Sequence, residues 1–478
     1  MFGSKKSFEN KKLKQLEIKK KKNTKWFIKS HIKWFFSLWL IFVIFYFWTN
    51  ISYVLWTYVK TAIWWVVQTI SKTMWKEAKK DALWNVNILL LWIWGKNHDW
   101  GYLTDSMMIA SFNSKYKTLT FMSIPRDLYV KYPWWWAWRI NYIFAREYLK
   151  TRSFDKAAKT LQKKIKDITW IKTDYYILVD FWWFEKFVDK LWWVTINVPE
   201  TLVDYRYPWP NWTYVTFKIT KWVHHIDGVT ALKYARSRHS TSDFSRSARQ
   251  EQIIKALIHQ VTSSWILTSP SKIKALCLQF KETFKTNFDF DTMLSFVQYA
   301  KWIKIHSYVI NADCYFKTTY WKNLIPWCFL YPAERAAFNW QAVLLPVWAT
   351  PQNIENYEKI QKFAFIAIGY PELWLENSKI QILNWINKRK IKKYYKWYLK
   401  PVASNLAYTL KNYWFNIVDV RNSSKYYKST IWYIYNNKPT TEELLKSFVW
   451  QINYKTGDVN YAWSWFDMTL ILWENYLK

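Results

Sequence analysis

Four arginines fall within fourteen residues in the run Arg236-Ser237-Arg238-His239, Asp243-Phe244-Ser245-Arg246 and Arg249-Gln250. A planar guanidinium binds phosphate oxygens in pairs and keeps its proton, so such a run can converge on one anionic group. A helix opening near Arg246 would add its own positive end. A solvated basic face is the usual fate of a charge run, and it stands beside the site reading here; Asp243, His239 and Gln250 interleaved among the arginines speak for a site. A second group, Asn97-His98-Asp99-Trp100-Gly101-Tyr102-Leu103-Thr104-Asp105, follows an apolar strand. Two carboxylates six residues apart on one loop, Asp99 and Asp105, can hold a hard divalent cation such as Mg²⁺ through oxygen. Asp105 would serve equally as an N-cap or turn residue. In Ser123-Ile124-Pro125-Arg126-Asp127 a strand ends at a proline and sets Arg126 and Asp127 on one rim, with Arg139-Ile140-Asn141 across the loop. A local ion pair is the commoner meaning of such an Arg-Asp neighbour, but polar residues gathered from separate segments also fit a site built on a rigid sheet.

The elements that must position these residues alternate in type. Val86–Leu91 is a continuous apolar strand, and Ser106–Phe112 and Leu119–Ile124 are two more. Asp155–Ile168 has helical spacing, Tyr175–Val179 and Val194–Val198 are strand-like, and Gln250–Val261 is an amphipathic helix. Such alternation predicts an αβα sandwich around a mixed central sheet. Helical pieces near Ile273–Phe284 and Thr292–Ile303 precede an irregular stretch with Pro326, Pro332, Pro346 and Pro351. Residues 376–478 predict a small, separate α/β domain, with strands at Ile380–Leu383, Asn416–Val420, Thr430–Tyr435 and Met468–Leu472 and helices at Lys392–Tyr413 and Thr441–Phe448.

Thirty-nine tryptophans stand against six glycines in 478 residues, the reverse of ordinary usage. Their positions are those of glycine. Pro133-Trp134-Trp135-Trp136-Ala137-Trp138 is a flexible loop if read with glycines, and Trp414 falls between a helix ending at Tyr413 and a strand, the slot of a left-handed C′ residue. The pattern points to a gene in which UGA encodes glycine and is read here as tryptophan. The rings of Trp92, Trp94 and Trp100 then crowd a pocket rather than stack on a substrate.

Lys plus Arg number 70 against 34 Asp plus Glu, a net charge of +36, which implies anionic partners without choosing among them. Residues 1–33 carry twelve lysines and two glutamates and predict a disordered basic cytoplasmic tail. Residues 34–59 contain no charge and exceed the roughly 20 residues a membrane-crossing helix requires. The lysine-rich flank keeps the N-terminus in the cytoplasm and puts the rest outside; an uncleaved anchor is preferred to a signal peptide because the run is long and no small-residue cleavage site follows. Residues 60–83 predict a helical stalk. Of the three cysteines, Cys314 and Cys328 are close enough in sequence for a permitted disulfide, Cys277 sits in an apolar helical pattern, and no zinc spacing occurs.

These groups together resemble the LytR-CpsA-Psr family. Asn87-Ile88-Leu89-Leu90-Leu91-Trp92 is similar to its opening strand and glycine, Leu103-Thr104-Asp105-Ser106-Met107-Met108 to its SDTMM element, and Ser123–Asp127 to SIPRD. Arg139-Ile140-Asn141-Tyr142 resembles KINAAY, Leu191-Trp192-Trp193-Val194 resembles LGGV, and Arg236–Gln250 resembles RSRH…DFGRxxRQ. The family glycines are tryptophans in this chain, except that Ser245 replaces the last. Residues 376–478 resemble a LytR C-terminal domain, Ile382-Leu383-Asn384-Trp385 standing where VLNG is expected. The resemblance makes 84–265 the catalytic domain and 266–375 its C-terminal extension and linker.

The resemblance implies a membrane-anchored phosphotransferase on the outer face of the cytoplasmic membrane. It would move a glycopolymer from a polyprenyl-pyrophosphate carrier to peptidoglycan through a phosphodiester, with Mg²⁺ or Mn²⁺ and without nucleic acid. By position Arg126, Arg236, Arg238, Arg246 and Gln250 hold the pyrophosphate, Asp105 binds the metal, and Asp105, Arg126 and Arg238 are catalytic; Asp127, Asn141, Asp243 and Arg249 support them. The family's first acidic residue is Trp94 in this chain, so Asp99 is the substitute ligand, with Asp127 or a neighbouring loop residue as the other choice. Phosphoryl transfer needs charge neutralisation and positioning more than covalent chemistry, which such a set supplies. Two other functions share the same residues: an envelope regulator or anionic-polymer binder without turnover, and a hydrolase of the same pyrophosphate bond.

Overall fold

Continuous apolar runs become the buried strands of a mixed six-stranded sheet. Its members are β1 (Asn85–Ile93), β2 (Thr104–Asn113), β3 (Thr118–Ile124), β4 (Tyr175–Asp180), β5 (Lys285–Thr286) and β6 (Lys304–Val309), in the order β5-β4-β1-β2-β3-β6. β1 pairs antiparallel with β2 and parallel with β4; β3 pairs antiparallel with β2 and parallel with β6. Every residue of β2 and β3 is buried, as both-face coverage by helices requires. The structure is a computed structural model describing residues 58, 61, 78–95, 101–132, 136–191, 193–209, 213–237, 243–263, 270–297, 303–310, 312, 329–384, 402–423, 429–449, 453–456 and 465–472. Residues 1–75 and 76–478 separate as two units, and both sheets and all the helices named here belong to the second. The tail, nearly all of the membrane segment 34–59, and Cys314 and Cys328 lie outside the described residues. No helix among the described residues is long and apolar enough to cross a membrane.

The helices are α1 (Asn141–Thr151), α2 (Phe154–Thr169), α3 (Phe181–Lys190), α4 (Gly228–Arg236), α5 (Asp243–Ser263), α6 (Pro270–Thr283), α7 (Glu358–Gly369) and α8 (Val402–Asn412). Three begin on a side-chain cap. The Lys156 N–H donates to Ser153 Oγ at 3.3 Å, the Trp182 N–H to an Asp180 carboxylate oxygen at 2.9 Å, and the Thr230 N–H to Asp227 at 2.8 Å. α5 begins three residues before Arg246, the expected start of that helix, so Arg246 lies in its first turn. α6 covers the predicted Ile273–Phe284 helix except its last residue, and Cys277 on it is buried, its thiol pushed up to about 11 by loss of solvent.

α3 and α4 lie close enough that glycine is needed where they meet. A Cβ on Gly228 would stand 2.2 Å from the Glu185 carbonyl oxygen, while the Gly228 N–H donates to Asp189 Oδ1 at 2.7 Å. Gly228→Ala therefore forces two helices apart, and we expect about 1–3 kcal/mol of lost stability, read as a lower urea midpoint of the full chain.

The C-terminal sheet holds β7 (Ile380–Asn384), β8 (Ile417–Asn422), β9 (Ile431–Ile434), β10 (Asn453–Thr456) and β11 (Met468–Leu472), ordered β8-β7-β11-β9-β10. Its apolar face is not enclosed by itself. Leu89, Met107 and Ile143 belong to one continuous buried cluster with Phe363 of α7, Ile382 of β7 and Leu406 of α8, so α7 joins the two sheets through a common core. Two further clusters pack the remaining faces of the first sheet, one around Phe184, Val188 and Val194, the other around Met108, Phe121 and Phe288.

Candidate functional site

Asp105 is the second residue of β2, not a loop residue as its spacing from Asp99 suggested. In the β1–β2 ladder Trp92 faces Ser106 and Ile93 faces Thr104, so Asp105 is the extra residue of a bulge. A bulge re-aims a side chain and leaves one backbone group outside the ladder. The Asp105 carbonyl oxygen accepts instead from Arg246 Nη2 at 2.6 Å. Its carboxylate is engaged on both oxygens: Arg126 Nη1 donates to Oδ1 at 2.7 Å, and the Trp94 indole Nε1 donates to Oδ2 at 2.5 Å.

Arg126 and Asp127 lie in the turn after β3, closed by the Leu128 N–H on the Pro125 carbonyl at 3.2 Å. Arg126 Nε stands 3.7 Å from Asp127 Oδ2, and Arg139 Nη1 3.3 Å from Asp127 Oδ1, so Asp127 balances two cations at this corner. Asp105, Arg126, Asp127 and Arg246 share a cavity of about 400 Å³ with Ser106, Ser123 and Ser247. The Ser106 and Ser123 hydroxyls are buried without a hydrogen-bond partner among the described residues. The opposite wall is the hairpin of Leu330–Pro332 and Leu344–Pro346 with the Arg335–Phe338 turn between, which brings Arg335 to the cavity. The Leu344 N–H donates to the Asp127 carbonyl at 2.9 Å and fixes that wall to the turn.

The other expected residues stand behind this front. Arg236 ends α4 with its guanidinium 4.1 Å over the Trp94 ring, 5.2 Å from Phe181 and 5.5 Å from Tyr207. Burial pushes its pKa below the usual guanidinium value, with Tyr207 and Asp105 opposing. Gln250 is wholly buried, and its amide finds no hydrogen-bond partner among the described residues. Asn141 is buried under the site, its N–H on the Arg126 carbonyl at 3.4 Å and its carbonyl accepting from Thr104 Oγ1 at 3.3 Å. Arg238 and Asp99 lie outside the described residues, as does the side chain of Asp243, whose backbone opens α5.

Arg249 acts on the backbone. It donates from Nε to the Tyr234 carbonyl at 3.0 Å and from Nη2 to the Ser237 carbonyl, holding the end of α4 beside α5. The neighbouring Ser237 hydroxyl donates to the buried Asp204 at 2.6 Å. Arg249→Ala strands two buried carbonyls, and we expect a loss of about 1–3 kcal/mol by thermal or urea unfolding. Arg249→Lys recovers little of it, because one ammonium cannot span both acceptors.

Sequence reasoning missed the bulge, the two serine hydroxyls and Arg335. Asp105-Ser106 lay in plain view, but only the register with β1 shows which residue is extra. Among the described residues no group of three or more His, Cys, Asp or Glu side chains could hold a metal by itself. The oxygen donors at the cavity are Asp105, Asp127 and serine hydroxyls, a hard set suited to Mg²⁺ that takes its remaining ligands from water or phosphate.

The LytR_cpsA_psr family profile matches residues 64–326, and the chain belongs to that family. It is 28% identical over 183 residues to the regulatory protein MsrR of Staphylococcus aureus, covering 38% of this chain and 50% of that one. It is 29% identical over 160 residues to the polyisoprenyl-teichoic acid–peptidoglycan teichoic acid transferase TagT of Bacillus subtilis, covering 34% and 46%. The chain thus spans about half the length of the curated relatives it matches. The crystal structure of B. subtilis TagV superposes with a TM-score of 0.43 at 23% identity, covering 60% of this chain and 98% of that one.

Proposed function

We propose that this protein transfers a glycopolymer from a polyprenyl-pyrophosphate carrier to peptidoglycan at the outer face of the membrane. The observation that carries the reading is the bulge at Asp105, which gathers a carboxylate, Arg126 and Arg246 at one cavity. In the reaction an acceptor hydroxyl of peptidoglycan attacks the phosphorus next to the sugar. The bond from that phosphorus to the bridging oxygen breaks, polyprenyl phosphate leaves with the electron pair, and the proton of the attacking hydroxyl passes to the departing phosphate.

Arg126 and Arg246 hold the phosphate oxygens and neutralise the charge that gathers on them, with Arg236 and Arg238 supplying the rest of the positive lining. Asp105 fixes the Arg126 fork through its 2.7 Å bond and presents carboxylate oxygen to the site. Mg²⁺, when bound, would be held by Asp105, with Asp99 or Asp127 as second ligand, and would neutralise the pyrophosphate. The buried Ser106 and Ser123 hydroxyls are placed to orient oxygens of donor or acceptor.

A radiolabelled lipid-linked donor incubated with the full chain, Mg²⁺ and peptidoglycan tests the reading. Polymer bound to peptidoglycan, together with released polyprenyl phosphate, is the expected result. Release in water without acceptor would make the protein a hydrolase, and donor binding with no release would make it an envelope binder or regulator; either result sinks the transferase.

A further inference from the structure

We infer that Arg335 is the specificity residue of the cavity, and that it reads a carboxylate on the saccharide lodged there, apart from the pyrophosphate. The identity of that saccharide as donor or acceptor rests on the transferase reading; the anion does not.

The wall that carries Arg335 is rigid. Leu330–Pro332 and Leu344–Pro346 pair antiparallel, the Ala333 N–H donates to the Val343 carbonyl at 3.1 Å, and the Trp340 N–H closes the turn on the Arg335 carbonyl at 2.8 Å. Phe338, which ends that turn, is buried with Val343, Leu345 and Ile354 and meets the Tyr129 ring edge-on at 4.9 Å. Leu344 is bridged to Leu128, directly after the turn that holds Arg126 and Asp127. Arg335 is therefore held at the cavity by packed elements, as a recognition residue must be.

Its charge has no counterpart in the protein. Arg126 is spent on Asp105 and Asp127, Asp127 also faces Arg139, and Arg246 donates to the Asp105 carbonyl. The Arg335 guanidinium has no hydrogen bond or ion pair among the described residues, and its acidic neighbour Glu334 does not line the cavity. One open guanidinium balances one negative charge, which a carboxylate carries and a phosphate monoester exceeds.

The rest of the cavity suits a sugar ring. Ile124, Val309, Pro332 and Leu344 offer an apolar surface to its C–H face, while the unpartnered Ser106 and Ser123 hydroxyls can meet its oxygens. Asp105, Arg126 and Arg246 fall within the residues 64–326 that define the family, whereas the Arg335 wall follows them. Chemistry common to a family with selection added beside it is the division such a layout serves.

Calorimetry on the full chain tests this with two pairs of probes that differ in one carboxylate: glucuronic acid 1-phosphate against glucose 1-phosphate for the donor, and N-acetylmuramic acid against N-acetylglucosamine for the acceptor. In at least one pair the acid should bind about tenfold or more tightly, and that pair tells which substrate carries the carboxylate. Arg335→Ala should abolish the preference without moving the thermal midpoint, since the side chain is exposed, and Arg335→Lys should keep part of it. No preference in either pair, or one that survives Arg335→Ala, overturns the inference. A chain that shows the preference yet transfers no polymer leaves the inference standing and removes the transferase alone.

Discussion

Arg126→Ala should lower polymer transfer by roughly 10²–10³-fold, the usual effect of losing one positioned donor to a developing oxyanion. The thermal midpoint should move little, because the Arg126 side chain is partly open to the cavity and its removal creates no core void. Arg126→Lys should restore only a fraction, since a single ammonium cannot face Asp105 and a phosphate with the geometry of a fork. Asp105→Ala should lower transfer as strongly by a different route, freeing Arg126 from its 2.7 Å partner while removing carboxylate from the site. The double variant should then be little worse than either single one, as expected of residues that act as a unit. Assays with labelled donor at saturating Mg²⁺, paired with melting curves, read all four chains. Near-wild-type transfer by Arg126→Ala would remove it from the site.

Six tryptophans among the described residues hold positive φ, Trp84, Trp170, Trp222, Trp340, Trp348 and Trp414, and changing them to glycine should stabilise the chain by several kcal/mol in sum. A non-glycine residue at such φ costs roughly 1–2 kcal/mol, offset by roughly 0.5–1 kcal/mol for the greater freedom of glycine in the unfolded chain. The rings give back little, since Trp222 is 71% and Trp340 is 78% exposed. Trp222→Gly should be the largest single gain, because φ of 116° leaves an indole no relaxed alternative nearby. Trp414→Gly should gain least, because its ring meets His306 and Tyr308 at 5.2 and 4.9 Å. Urea midpoints of single variants and of the combined chain decide this; a fall in stability for Trp222→Gly would show that the ring is native to its place.

Much of the fold was legible because its strands are uninterrupted apolar runs. β1, β3, β4 and β11 lie where Val86–Leu91, Leu119–Ile124, Tyr175–Val179 and Met468–Leu472 predicted them, and α2 extends one residue beyond Asp155–Ile168 at each end. α1 was hidden because it starts without a side-chain cap, at Ile140, a few residues after a proline and a run of rings, so Arg139-Ile140-Asn141 was legible only as the far side of a loop. α3 was hidden because the exposed rings of Trp182 and Trp183 mask the helical spacing of the buried Phe181, Phe184, Phe187 and Val188. With glycine at 182 and 183 that spacing stands clear, and the Asp180 cap marks its start.

Of the site, residue types were legible and relations were not. Asp105, Arg126, Asp127 and Arg246 could be picked from their segments, and the structure brings them to one cavity. That Arg246 grips the backbone rather than the carboxylate of Asp105 depends on a pairing register, which no single strand encodes. The far wall comes from the irregular proline stretch, where neither period nor propensity marks the Leu330–Pro332 and Leu344–Pro346 pair.

The buried cluster that runs from Leu89 and Met107 through Phe363 to Ile382 and Leu406 decides how this protein can be cut. A fragment ending near residue 375 would carry Ile360, Phe363 and Ala364 with their partners gone, a greasy scar that invites self-association. The C-terminal part is therefore a keel rather than a passenger: residues 76–478 should melt in a single cooperative step. Any ligand of the second sheet would be coupled rigidly, and not through a swivel, to the strands that carry Asp105.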